Sequence, residues 1–272
     1  MKRLTRILTA FRNALFPGKC SACGRFYHPP NHQAPPPERL PLDYKNLFES
    51  IMAPFLCKDC RPAFSPIESP KCPICGEMFK SRAGEDHTCA GCLTRTPHFH
   101  CVRSAGQYDG ALMACIHAFK YGRKIQLARP LGRLLFHAYF RYSELLEPDI
   151  ILPVPLHLSR LKRRGFNQAA LVLTHWPAFF QQTGALPPKI IYDTSILRRI
   201  KKTPAQTGLG RHHRRSNIRQ AFTVSPKSQI RGKTILLIDD VCTTAATVNE
   251  CARILKRGGA DCVNVLTLAR AA

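Results

Sequence analysis

Two sets of residues in this 272-residue chain have the types and spacing that chemistry needs. The first is Ile235 to Thr247, ILLIDDVCTTAAT. Four apolar residues run into adjacent carboxylates, Asp239 and Asp240, and a small, hydroxyl-rich run follows: Thr243, Thr244, Ala245, Ala246, Thr247. Paired carboxylates repel a phosphate. They suit the hydroxyls of a ribose, or a Mg2+ that bridges a diol and phosphates. Threonine hydroxyls, small side chains and the open N–H groups of a helix start suit the phosphate itself. The stretch reads as a ribose 5-phosphate site. The second set is eight cysteines in four Cys-x-x-Cys pairs: Cys20/Cys23, Cys57/Cys60, Cys72/Cys75 and Cys89/Cys92. Knuckles at this spacing supply tetrahedral zinc ligands. The simplest grouping is two consecutive ribbons with two structural zinc ions. A crossed arrangement, with the first pair joining the third, is the alternative the spacing leaves open. Cys101, Cys115, Cys242, Cys251 and Cys262 read as small buried apolar residues.

These residues need a frame. Ile235 to Ile238 is a continuous apolar run, the mark of a strand buried on both faces of a parallel sheet. Val248, Cys251, Ala252, Ile254 and Leu255 then recur at helical spacing until Gly258-Gly259. Strand, loop and helix put the threonine loop at the carboxyl edge of the sheet, where open α/β folds bind ligands. Asp149 to Val154 is a second buried strand. It runs into Pro155 and a basic segment with Arg160, Lys162, Arg163 and Arg164, which reads as a pyrophosphate loop or as a solvated basic helix face. Residues 101–108 and 262–268 are further strands, and 110–121 and the stretch after Pro130 are amphipathic helices. Residues 198–219 hold eight Lys/Arg and no acid, with Pro204, Gly208 and Gly210 interrupting regular structure. Such a segment suits a lid over pyrophosphate or a track for a nucleic-acid backbone.

Composition bounds the class. With 44% apolar residues and no apolar run near the roughly 20 residues that span a bilayer, no membrane span is expected. Leu4, Ile7, Leu8, Phe11 and Leu15 mark one face of an N-terminal helix that Arg6 and Arg12 interrupt, so it does not read as a signal peptide. It packs on its own protein or lies on a membrane surface. A cytoplasmic location is expected. Net charge is +24, and residues 151–272 carry 20 Lys/Arg against 5 Asp/Glu, or +15. That balance favours polyanionic or phosphorylated partners. The proline-rich run 28–41 reads as an exposed insertion between knuckles.

The apolar run, acid pair and Thr-Thr-Ala-Ala-Thr loop resemble the phosphoribosyl pyrophosphate (PRPP) motif of type I phosphoribosyltransferases, departing at Ala245, where glycine is usual, and at Cys242, where valine is usual. Alanine resists the positive φ that glycine would supply. With the double zinc ribbon, PVPLH, RRGFNQ, TPAQTGL…RRSNIRQAF and the terminal VLTLAR, the whole pattern resembles the ComF family. The resemblance implies a type I phosphoribosyltransferase-like α/β fold: a mostly parallel sheet flanked by helices in residues 101–272, after an N-terminal helix and zinc-ribbon module in residues 1–100. It implies that Asp239 and Asp240 hold ribose hydroxyls or Mg2+, that residues 243–247 cradle the 5-phosphate, and that Val154, Pro155 and Arg164 face the pyrophosphate. It also implies a competence role in uptake or processing of single-stranded DNA, with DNA-uptake proteins as partners. An active phosphoribosyltransferase, displacing pyrophosphate from PRPP with a nucleobase or amine, is the alternative enzyme reading. A zinc-stapled interaction module with a decayed ligand site is a third.

Overall fold

The computed structural model describes residues 17–30, 43–142, 148–184, 189–190 (backbone), 196–201, 218 and 220–271. The helix expected at residues 4–15, most of the proline-rich run and most of the 198–219 segment lie outside these residues.

The described residues begin with a two-strand ribbon, β1 (Gly18–Lys19) and β2 (Phe26–Tyr27), followed by helices α1 (Tyr44–Met52) and α2 (Ala90–Thr94). Then come β3 (Val102–Gln107), α3 (Gly110–Lys120), α4 (Ala128–Arg141), β4 (Ile150–Pro153), α5 (Leu158–Arg164), α6 (Gln168–Leu173), α7 (Trp176–Thr183) and β5 (Lys189–Ile190). The chain closes with β6 (Leu197–Arg199), β7 (Phe222–Val224), β8 (Thr234–Cys242), α8 (Ala246–Arg257) and β9 (Cys262–Arg270). Five strands form one sheet in the order β3-β9-β8-β4-β5, and every pairing in it is parallel. β6 and β7 pair antiparallel as a separate hairpin.

The apolar run at 235–238 is uninterrupted because both faces of the strand are covered. Side chains alternate across a strand, so Leu236 and Ile238 join Ile151, Leu266 and Leu268 in one core. Helices α3, α4, α6 and α7 cover it, with Phe136 packed among Trp176, Phe179 and Phe180 at 5.0–5.4 Å. Ile235 and Leu237 join Ile150, Leu152, Val263 and Val265 in the opposite core, under Cys251 and Leu255 of α8 and Phe222 of the hairpin. Close approach makes Gly132 necessary in α4: a Cβ there would meet the Val172 carbonyl oxygen of α6 at 2.2 Å.

The cysteine region enters both cores. Cys20 and Cys57 pack with Phe48 and Phe64 in the first, and Cys72, Cys75 and Cys92 with Val102 in the second. The Val102 N–H donates to the Ile74 carbonyl at 2.8 Å. No helix among the described residues is long and apolar enough to cross a membrane.

Candidate functional site

The acid pair sits where the sheet splits. β4 pairs with β8 as far as Pro153 opposite Ile238, and the Val154 N–H donates to the Ile238 carbonyl at 2.8 Å. The chain then turns away at Pro155, while β8 continues along β9 with Asp239 opposite Thr267 and Cys242 opposite Arg270. The strand therefore does not stop at Ile238, as the apolar run alone suggests. It carries both carboxylates into the gap its neighbour leaves, the crevice position of open α/β sheets.

The gap is a cleft of about 530 Å³. Its lining includes Asp239, Asp240, Thr243 and Thr247 from β8 and the loop after it, Val154, Pro155, Arg160, Arg163 and Arg164 from the end of β4 and α5, and Lys120, Tyr108, Tyr121 and Arg199. Among these, five cations (Lys120, Arg160, Arg163, Arg164, Arg199) face two carboxylates. Thr244, Ala245 and Ala246 are not part of the lining and instead shape the turn into α8. Ala245 takes φ 56°, so the left-handed turn forms without the usual glycine. The alanine pays roughly 1–2 kcal/mol for it, and α8 still starts at the next residue. Its first-turn N–H groups lack intrahelical partners. The Thr244 hydroxyl oxygen is buried without a hydrogen-bond partner.

Burial and like charge crowd the ionisable groups of this cleft. Burial, then the neighbouring Asp240, pushes the Asp239 carboxyl up to about 7, although the Asp240 N–H donates to it at 2.8 Å. Lys120 Nζ lies 2.7 Å from Asp240, each side chain only 12–13% exposed. Burial works against the Lys120 charge, but Asp240 outweighs it and holds the ammonium above the ordinary lysine value. Arg199 faces inward because strand alternation buries Leu197 and Arg199 and exposes Arg198. Burial, then the charge of Arg160, lowers its pKa. Arg160 is lowered likewise by burial and by Arg164 and Arg163. Crowded, partly desolvated cations favour an anionic ligand.

The segment after Val154 is a short helix rather than a loop. His157 caps α5 by accepting from the Ser159 N–H at 3.2 Å, and Gly165 ends it at φ 86°. Asn167 ties this helix back to the sheet: Nδ2 donates to the Val154 carbonyl at 3.1 Å, and Oδ1 accepts from the Ala169 N–H at 3.0 Å to cap α6. Phe166 packs on Phe119 with ring centres 5.3 Å apart. RRGFNQ thus sets the arginines on the cleft wall. Lys120, Tyr121 and Tyr108 are not read as site residues from sequence. Lys120 and Tyr121 close an amphipathic helix, and nothing in its period shows that its end meets Asp240. Arg199 falls in the basic 198–219 segment read as a lid or a nucleic-acid track, and the structure places it in a short strand whose alternation turns it inward.

The eight paired cysteines form two groups, Cys20/Cys23/Cys57/Cys60 and Cys72/Cys75/Cys89/Cys92, each with sulfurs within 4.8 Å of one another. The consecutive arrangement is the one present. A tetrahedron with Zn–S near 2.3 Å places sulfurs about 3.8 Å apart. Cys23 and Cys57 are at 3.8 Å and Cys75 and Cys89 at 3.6 Å. Gly24 and Gly76 follow their knuckles at φ 75° and 67°. Burial raises the Cys72 thiol, but N–H donors from Cys89, Cys75 and Ile74 bring it down to about 7, whereas burial pushes Cys75 up to about 12 and also raises Cys92. His87 stacks on Phe79 at 3.8 Å and belongs to neither group. Of the other cysteines, Cys101, Cys115, Cys242 and Cys251 are buried, and Cys262 is half-buried.

Sheet order, crevice and acid pair define an α/β protein of the phosphoribosyltransferase type that carries two four-cysteine centres. Residues 192–272 match the Phosphoribosyl transferase domain family. Competence protein F of Haemophilus influenzae is 32% identical over 79% of this chain and 90% of its own. DNA utilization protein YhgH of Salmonella typhimurium is 30% identical over 81% and 99%. Competence protein ComFC of Streptococcus pneumoniae is 25% identical over 79% and 87%. The chain belongs to the competence protein F family.

Proposed function

We propose that this protein handles single-stranded DNA in natural transformation, and that its cleft binds a PRPP-type ribose phosphate. The observation that carries the ligand reading is the placement of Asp239 and Asp240 at the split between β4 and β8. The hydroxyl loop lies on one side and five cations lie around the rest of the cleft. In this reading the acid pair holds the 2- and 3-hydroxyls, directly or through Mg2+. Thr243 and Thr247, with the open N–H groups at the start of α8, receive the 5-phosphate, Thr244, Ala245 and Ala246 shaping the turn, and Val154, Pro155 and the arginines of α5 receive the pyrophosphate. The DNA role is supported by the names of the relatives, competence protein and DNA utilization protein, and by the +24 net charge. Partners in the DNA-uptake machinery and a cytoplasmic site of action belong to the same proposal.

Each cysteine group would hold one zinc ion. The metal would supply folding energy to a region with little core of its own. Four thiolates leave no open position for catalysis.

A second reading, an active phosphoribosyltransferase, is favoured by the cation-lined space beside the acid pair. Pyrophosphate leaving C1 needs its charge met there, and such a site needs no covalent nucleophile. PRPP and single-stranded DNA titrated at two salt concentrations test the first reading. Binding of both, with DNA affinity falling as salt rises, supports it. DNA affinity no better than that of an unrelated basic protein removes the DNA part. Failure to release pyrophosphate from PRPP with any nucleobase or amine removes the second reading.

A further inference from the structure

We propose that Lys120 is a built-in cation that takes the place of Mg2+ between the acid pair and a pyrophosphate, so that the cleft binds its PRPP-type ligand without a divalent metal. The proposal rests on the ribose-phosphate reading of Asp239 and Asp240 and deepens it, because it decides between direct and metal-bridged recognition of the diol.

Lys120 comes to the acid pair from a remote element. It is the last residue of α3, and the backbone on both sides of it is held. Phe119 is fully buried and packs on Phe166, with ring centres 5.3 Å apart. The Tyr121 N–H donates to the His117 carbonyl at 2.9 Å. A Cβ on Gly122 would meet the Ala118 carbonyl oxygen at 2.7 Å, and Arg123 follows at φ 53°, so the chain turns tightly after the lysine. From this fixed base the side chain crosses to β8, where Nζ lies 2.7 Å from Asp240 Oδ1. Both side chains are largely buried, and solvent and salt screen such a pair far less than one on the surface.

The oxygens of the acid pair are matched to a diol and not to a metal. Asp239 Oδ1 accepts from the Asp240 N–H at 2.8 Å, and Asp240 Oδ1 takes the ammonium. Among the described residues each carboxylate then keeps one oxygen without a partner, one for each hydroxyl of a 2,3-diol. Mg2+ demands near-octahedral coordination by oxygen, and Asp239 and Asp240 are the only carboxylates in the described lining of the cleft. A Mg2+ on the pair would also stand beside Lys120 and beside Arg199, whose charges already act on Asp239. Like charges at such range repel. Lys120 has the donors to do the metal's bridging: an ammonium carries three N–H groups, Asp240 takes one, and two remain for oxygens of a ligand. It lines the same cleft as Arg160, Arg163 and Arg164. The five Lys/Arg of that lining exceed the two carboxylates by three charges, which offsets a pyrophosphate group without a divalent ion.

The test is calorimetric titration of PRPP and of ribose 5-phosphate into the wild-type protein and into Lys120→Met, at matched zinc content, first with no added divalent cation and then with Mg2+ in excess. The wild type should bind PRPP nearly equally in both conditions. Lys120→Met should lose about 10–100-fold in PRPP affinity without Mg2+, from loss of a charge-assisted contact, and should regain most of it when Mg2+ is added. Ribose 5-phosphate, which lacks the pyrophosphate, should lose less. Binding of PRPP by the wild type only in the presence of Mg2+ overturns the built-in cation and leaves the ribose-phosphate reading standing, and this arm needs no variant. No binding of either ligand in either condition overturns both. Equal losses for the two ligands in Lys120→Met overturn the bridge to pyrophosphate and leave the lysine acting through Asp240 alone. Mg2+-free PRPP binding by Lys120→Met as tight as the wild type's, or tighter, also overturns the proposal and makes the lysine a plug that the ligand displaces.

Discussion

At the residue scale, Asp239 is held against its own stability. Its carboxyl ionises near 7 in the folded protein, because burial and Asp240 disfavour the charge. An exposed aspartate ionises near 4. With the folded value raised, this group's contribution to stability is full below about 4 and is lost as pH rises towards 7. Asp239→Asn should therefore stabilise the ligand-free protein at pH 8 by on the order of 2 kcal/mol, after allowance for partial exposure and coupling, read as a higher melting temperature. The same variant should leave stability near pH 4 little changed; a variant less stable at pH 8 contradicts the electrostatic account. Ala245 is the second strained position, at φ 56°. Ala245→Gly should raise unfolding stability by about 0.5–1 kcal/mol, seen as a higher urea midpoint, since relief of the left-handed strain exceeds the entropy glycine adds to the unfolded chain. These two positions also mark the limits of legibility. The acid pair and threonine loop were readable because residue type and order carry their chemistry. That Ala245 would accept a positive φ was not readable, because Arg270 and the start of α8, which fix the turn, are remote or backbone features.

At the element scale, packing decides where the arginines stand. α5 buries no residue of its own, so its place depends on Asn167 and on α6, which packs against α4 through Gly132. Gly132→Ala would drive a methyl into the Val172 carbonyl and should destabilise the protein by about 1–3 kcal/mol in urea unfolding. It should also weaken anion binding by displacing Arg160 and Arg164. Unchanged stability would mean that the two helices separate freely. The long strands β3, β4, β8 and β9 were legible from their apolar runs and α3, α4 and α8 from their period, whereas α1, α2, α6 and α7 were not read from sequence. The split between β4 and β8 was not, because it depends on the register Pro153 opposite Ile238, and pairing partners leave no local mark. For the same reason the approach of Lys120 to Asp240 was invisible in sequence.

At the scale of the whole molecule, the second cysteine group and the threonine loop share one buried side chain. Arg270 Nε donates to the Cys75 carbonyl at 3.0 Å, and its NH1 donates to the carbonyls of Cys242 and Thr243. Glu77, beside the knuckle, pairs with the same guanidinium at 3.5 Å. Stripping metal with a chelator should therefore lower both the melting temperature and the affinity for ribose phosphates, with partial recovery on returning zinc. Full ligand affinity in metal-free protein would show that the loop stands alone. The central claim is that Asp239 and Asp240 read the diol of a ribose phosphate. Calorimetric titration of Mg-PRPP into the wild type and into Asp239→Asn/Asp240→Asn, at matched zinc content, tests it most directly. Saturable binding by the wild type, weakened at least about 100-fold in the double variant by loss of two charge-assisted contacts, is the predicted result. Equal binding by both proteins, or none by the wild type, would contradict it.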